Sequence, residues 1–222
     1  MPPASLRSSK LFTNSRRTSL TSSPSRRDLK YGTFRELVPD PEATLSNAEK
    51  IKKHDHACAA FWAFWNALPK TDHVPHLSDY LDNVPPDLQP NVVIMDLRSV
   101  DDMSIRLMGT TITEAVGEMT GLSANPLYSG QSRLAAIGQA WQATQHPCGY
   151  VAKRTLRSKR GQLIISGGVV LPVRTDTPGS KSVVSYNEIP PASAGLASDD
   201  QIEIVQEFSE NEWLDIGAGI PE

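Results

Sequence analysis

The chain has 222 residues, a formal net charge of −3 and 39% hydrophobic residues, which allows one or two domains with a buried core. It contains no run of about 18 apolar residues and no N-terminal signal-peptide pattern, so we expect no membrane span. The cysteines, Cys58 and Cys148, are too few for a disulfide framework and favour a reducing, cytoplasmic setting.

The two ends of the chain differ in charge from its middle. Residues 1–30 carry seven Lys or Arg and one Asp, whereas residues 190–222 carry eight Asp or Glu and no Lys or Arg. Residues 1–40 are also rich in Ser, Pro and Arg without an apolar period, which predicts a disordered basic tail. The alternatives are a mitochondrial presequence, an arm that binds nucleic acid or anionic lipid, and a regulatory segment. Residues 190–222 are predicted to be an acidic tail, loop-like except for a weak helix over 202–208.

A predicted domain over residues 45–189 begins with a helix over 46–68. Ser46-Asn47-Ala48-Glu49 is a capping-box pattern that starts the helix, and Pro69 ends it. This helix has more aromatic area than a free helix can leave in water, so it must dock on the domain or on a second copy of the chain. We therefore predict a homodimer whose interface contains Phe61, Trp62 and Trp65.

The most informative segment is residues 104–121, SIRLMGTTITEAVGEMTG. Alternating apolar residues predict a strand over 103–108 that pairs with an earlier strand over 91–97. Gly109 and Thr110 then form a tight corner, in which glycine supplies backbone freedom and Thr110 caps a short helix over 111–116. Gly117 is expected at the helix exit. A strand that ends against such a helix favours a ligand-sized concavity.

The remaining elements complete an α+β pattern. A helix over 131–145 is followed by strands over 149–157, 162–173 and 181–189, with Gly161 in a hairpin turn. This order predicts a five-stranded antiparallel sheet with short helices on one face and the aromatic helix at the N-terminus.

Several of these segments together resemble PAS domains, specifically the subfamily found mainly in alphaproteobacteria as small stand-alone proteins. The resemblance covers about residues 58–189. It lies in the aromatic N-terminal helix, the strand over 92–97, the strand, corner and helix over 105–117, Glu118-Met119-Thr120-Gly121 and the hairpin region over 161–172.

The resemblance implies a non-catalytic sensory or protein-interaction module in signal transduction. Its sheet would hold a small ligand on a face capped by short helices, and a signalling protein partner would respond to it. The chain lacks the Asn-Cys-Arg-Phe motif of light-sensing members, and residues 111–116 contain no histidine of the kind that binds haem. We therefore expect no cofactor.

The candidate ligand-binding residues are Arg106, Thr110, Trp141, Gly167 and Tyr186. Arg106 either anchors an anionic ligand or pairs with Asp101 or Asp102, and the Gly167-Gly168 pair marks a β-bulge or a ligand contact. The histidines and cysteines do not form a metal-ligand pattern, so no metal is expected.

Arg154, Arg157, Lys159 and Arg160 are interpreted as a solvated hairpin tip. Nucleic acid is not expected as a partner, because the tip lacks interleaved aromatic residues. The alternative function, from a different class, is a small isomerase-like enzyme that uses a carboxylate in its pocket.

Overall fold

The computed structural model describes residues 41–54, 56–189 and 200–221, which belong to one compact unit, Leu37–Glu222. The predicted basic tail over 1–40 and the segment 190–199 of the predicted acidic tail lie outside the described residues. Within the described ranges, no helix has the length and hydrophobicity that are needed to cross a bilayer.

The centre of the fold is an antiparallel sheet, which confirms the predicted α+β class. A small hairpin precedes it, and the strands in chain order are β1 (Lys70–Thr71), β2 (Val74–Pro75), β3 (Val92–Ser99), β4 (Asp102–Met108), β5 (Gly149–Ser158), β6 (Leu163–Val173), β7 (Lys181–Asn187) and β8 (Ile202–Leu214). The main sheet has the order β4-β3-β7-β6-β5-β8. The five predicted strands are all present, but the predicted total of five is wrong because β8 adds a sixth.

Strand β8 corrects the prediction of a loop-like acidic tail with a helix over 202–208. It pairs with β5 from Ile202 opposite Ser158 to Leu214 opposite Gly149. The pairing register shifts at three points along β5, and each irregularity interrupts the strict two-residue alternation of a strand. The apolar residues Ile202, Val205 and Phe208 therefore recur every three positions, which is the spacing that favours a helix.

Helices cover both faces of the sheet, so the prediction of helices on one face is also wrong. They are α1 (Pro41–Lys52), α2 (His56–Ala67), α3 (Leu77–Asn83), α4 (Thr110–Val116) and α5 (Gly130–Gln145). The first three supply residues to one hydrophobic core, and α4 and α5 supply residues to the core on the other face. The single helix predicted over 46–68 is divided into α1 and α2 by a turn at residues 53–54.

The core between α2 and the sheet is built from aromatic residues. Phe61 and Trp65 are fully buried and Trp62 is 8% exposed. The centre of the Phe61 ring lies 5.7 Å from the centre of the Tyr186 ring. Trp65 Nε1 donates a hydrogen bond of 3.2 Å to the carbonyl oxygen of Pro172. These side chains bury their area within one chain, which corrects their prediction as a homodimer interface.

Because both faces are covered, the central strands are hydrophobic almost continuously. In β3, Val92 and Ile94 belong to the core beneath α2, whereas Val93 and Met95 belong to the core beneath α4 and α5. Alternate residues of a strand point to opposite faces, so the fold contains two separate layers of side chains.

Candidate functional site

The face covered by α4 and α5 contains a partly enclosed cavity. Its volume is about 90 Å³ when measured for the centre of a water-sized sphere, whereas one water needs about 10–15 Å³ on that measure. The cavity is therefore large enough for a small organic molecule or several waters. Strands of the sheet form its floor, α4 and α5 form its roof, and β8 closes one side.

Most of the cavity wall is apolar. Short or flexible side chains contribute much of it, and Met is a residue that adapts to irregular space. Representative lining residues are Met95, Met103, Met108, Ile112, Ala136 and Ala140. The described lining residues include no Asp or Glu, so the pocket carboxylate required by the isomerase-like alternative is not among them.

Arg154 places a charged side chain in this mostly apolar wall. It lies on β5, lines the cavity and is only 8% exposed. Its guanidinium carbon lies 5.5 Å from the centre of the Phe208 ring, a distance that allows a cation–π interaction. Its buried Nε has no hydrogen-bond partner among the residues that the structure describes. A positive charge is thus held inside a largely apolar space.

A chain of side-chain hydrogen bonds holds the guanidinium in place. Arg154 Nη1 donates to Oδ1 of Asn187, and Nδ2 of Asn187 donates to Oγ of Ser185 at 3.0 Å. Ser185 Oγ in turn donates to the carbonyl oxygen of Val93 at 3.3 Å. The network connects β5, β7 and β3 and fixes the position of the charge at the cavity floor.

Gly168 provides the space that this arginine occupies. A Cβ atom at Gly168 would lie 3.0 Å from Nη1 and 3.3 Å from Nη2 of Arg154, and 2.7 Å from the carbonyl oxygen of Tyr186. The β5–β6 register runs through Gly167 and Gly168 without a shift. The glycine pair therefore does not mark a β-bulge, and Gly168 instead makes room for the guanidinium.

Tyr128 and Tyr150 also line the cavity. Burial raises the pKa of both phenols, and the positive charge of Arg154 offsets this increase only in part. Both side chains therefore remain protonated at neutral pH and keep an O–H that can donate a hydrogen bond.

None of the five predicted ligand-binding residues lines this cavity. Arg106 is an exposed residue of β4. Its Nε donates to both carboxylate oxygens of Asp96, at 3.0 and 2.9 Å, so its partner is not Asp101 or Asp102.

Thr110 is exposed and is the first residue of α4, and the preceding Gly109 is the N-cap residue. Gly109 has φ of −71°, and its lack of a Cβ permits close contact with the backbone of Gln89 and Pro90.

The other three predicted residues are also structural. Trp141 packs against the core beneath α5, and Lys181 Nζ lies 5.2 Å from the centre of its ring. Gly167 leaves room for the side chains of Glu188 and His54. Tyr186 faces α2, on the side of the sheet opposite the cavity.

The sequence analysis interpreted Arg154 as part of a solvated hairpin tip, whereas the residue is buried in the cavity wall. A usable signal was present, because Tyr150, Ala152, Arg154 and Leu156 occupy alternate positions of one strand and three of these four are apolar or aromatic. Alternate residues share a face. A charged residue in the buried phase of a strand indicates a functional or paired site.

Strand β8 also connects the cavity to the N-terminal helix. Its first half supplies Ile202, Val205 and Phe208 to the cavity wall. At its other end, Lys50 Nζ donates to the carbonyl oxygen of Trp213 at 2.7 Å, and Lys53 pairs with Glu212 at 2.7 Å. Strand β8 therefore contacts both the cavity and the helix α1.

No protein-family model matches this chain, and no curated protein is significantly similar to it.

Proposed function

We propose that this protein is a PAS-like sensory or regulatory module that binds a small, largely apolar ligand in the cavity beneath α4 and α5. In this proposal it performs no catalysis, and it passes the binding signal to a protein partner.

The observation that carries the proposal is the cavity itself. Protein interiors are packed at the density of organic crystals and leave few voids larger than a water molecule. Here the opposite face of the same sheet is filled by aromatic side chains, so the space beside Met95 is not a general property of the chain. An apolar pocket with a few polar groups is typical of a small-molecule site.

The contacts of β8 support a sensory role. A ligand can shift a conformational equilibrium only if it binds one state more tightly than the other. Strand β8 forms part of the cavity wall, and it also contacts α1 through Trp213 and the turn after α1 through Glu212. A ligand that touches Val205 or Phe208 would therefore alter the packing of α1. That helix would then present the change to a partner.

The ligand site is tested by thermal unfolding of the full chain with straight-chain alcohols of four to ten carbons. A ligand that binds only the folded state raises the melting temperature. We expect at least one alcohol to raise it in the wild type. Ala140→Leu and Ala136→Leu, which fill the cavity from α5, should remove that response. Leu134→Ala is the matched control, because Leu134 lies on the same helix and is 63% exposed.

Two results would contradict the ligand site. One is a wild-type protein whose melting temperature no alcohol changes. The other is a response of equal size in the cavity-filled variants, which would place the binding elsewhere.

The sensory role is tested by hydrogen exchange with and without the stabilising alcohol. We expect changed protection in β8 and in α1. If protection changes only in α4, α5 and the cavity floor, the protein is a ligand carrier and the sensory proposal is wrong.

A further inference from the structure

We propose that the natural ligand is a monocarboxylate with an apolar body, and that its carboxylate pairs with Arg154 inside the cavity. This inference rests on the proposed ligand-binding function and adds the chemical class of the ligand.

The first argument is the charge balance of Arg154. A buried charge is costly unless it is paired with an opposite charge and hydrogen-bonded. Arg154 is only 8% exposed, and its Nε has no partner within the described ranges. Its hydrogen-bond acceptor is the neutral amide of Asn187. Among the described residues, no Asp or Glu forms a salt bridge with it.

Two other arginines of the described residues do have carboxylate partners. Arg106 pairs with Asp96 at 2.9 Å, and Arg157 pairs with Glu203 at 3.1 Å. Both side chains are more than 40% exposed, where an ion pair contributes little to stability. The described residues thus provide carboxylates for these two exposed arginines and none for the buried Arg154.

The cavity also indicates which anion fits. A guanidinium recognises a planar carboxylate through parallel hydrogen bonds. The Nε of Arg154, to which no described residue is hydrogen-bonded, could take part in such an arrangement. One positive charge balances one carboxylate, whereas a phosphate monoester would leave excess negative charge in an apolar space. The wall also contains Tyr128 and Tyr150, and the methionine and alanine side chains suit a hydrocarbon body.

The experiment compares carboxylates with alcohols of the same length, for example octanoate with 1-octanol, by titration calorimetry on the full chain. The series covers four to ten carbons, so the comparison uses the length that binds best. We expect the wild type to prefer the carboxylate by about tenfold to hundredfold, the effect of one hydrogen-bonded charge pair. Arg154→Met should remove this preference and still bind the alcohol.

Arg157→Met is the matched control on the same strand. It removes an exposed arginine outside the cavity and should keep the full preference for the carboxylate. Arg154→Lys is the second variant, in case Arg154→Met does not fold. A lysine keeps the charge but lacks the planar pair of donors, so it should retain part of the preference.

The outcomes separate this inference from the proposed function. If the wild type binds the alcohol and carboxylate equally, or if Arg154→Met keeps the preference, the carboxylate inference is wrong and the apolar ligand site stands. If neither series binds the wild type, the proposed function and this inference both fail.

Discussion

The two faces of the sheet are built in different ways, although the same strands form both. Beneath α2, aromatic side chains fill the space, as shown by the contact of Phe61 with Tyr186. Beneath α4 and α5, a cavity of about 90 Å³ lies beside the buried charge of Arg154. Dense packing gives stability, whereas unfilled space with a buried charge costs stability. One face is therefore filled with aromatic side chains, whereas the other contains the cavity that the proposed ligand would occupy.

The largest effect should follow from a truncation on the filled face. Trp65→Ala removes a fully buried ring and its hydrogen bond to Pro172, so we expect the free energy of unfolding to fall by about 3–5 kcal/mol. Urea unfolding measures the change. Leu134→Ala, at a 63% exposed position, is the control and should change stability by less than about 0.5 kcal/mol. A loss below about 1 kcal/mol for Trp65→Ala would show that this face is not the main source of stability.

Two adjacent valines provide a direct comparison of the faces. Val169 and Val170 of β6 are 0% and 1% exposed, but Val169 packs beneath α2 and Val170 lines the cavity. Val169→Ile should lower the free energy of unfolding by about 1–3 kcal/mol, because the space there is already filled. Val170→Ile should be neutral or should raise it by up to about 0.8 kcal/mol, the value of one buried methylene. Equal changes in the two variants would show that the faces are packed alike.

Ionisation of the Cys148 thiol should change the stability of the protein only in the alkaline range and not at neutral pH. Burial and, secondarily, the negative charge of Asp215 raise the pKa of the Cys148 thiol to about 12. An unfolded thiol ionises near pH 8.5, so the unfolded chain loses its proton first. Stability should therefore be unaffected below about pH 8.5 and should fall as the pH rises toward about 12.

Urea unfolding at a series of alkaline pH values measures this decrease. Cys148→Ala should reduce it without abolishing it, because burial also raises the pKa of Tyr128 and Tyr150. The same decrease in the variant and the wild type, or a stability that rises with pH, would exclude Cys148 as a source.

Local sequence signals identified most of the elements. The helix predicted over 131–145 is α5 (Gly130–Gln145), and the strand predicted over 103–108 is β4 (Asp102–Met108). Gly161 has φ of 85° and Gly117 has φ of 91°, which confirms the predicted hairpin turn and helix exit. These features depend on residues that are neighbours in the chain, so a short window contains the information.

The candidate site was not predicted, because it depends on residues that are distant in the chain. Arg154 becomes a buried charge only when β8 covers the edge of β5 and Phe208 contacts the guanidinium. The spacing of Ile202, Val205 and Phe208 indicated a helix, and the irregular pairing of β8 explains why a strand has that spacing. Trp65 was correctly expected to dock, but the sequence did not distinguish the sheet of the same chain from a second copy.

By itself, the sequence determined the α+β class and the approximate positions of most helices and strands, because periodicity, glycines and prolines act over a few residues. Only the tertiary structure decided that helices cover both faces, that β8 closes the sheet beside β5 and that Arg154 lies within a cavity. The physical reason is that burial is a property of the assembled layers. A side chain's environment is set by the strands and helices that pack around it, and their sequence separation hides that environment from local patterns.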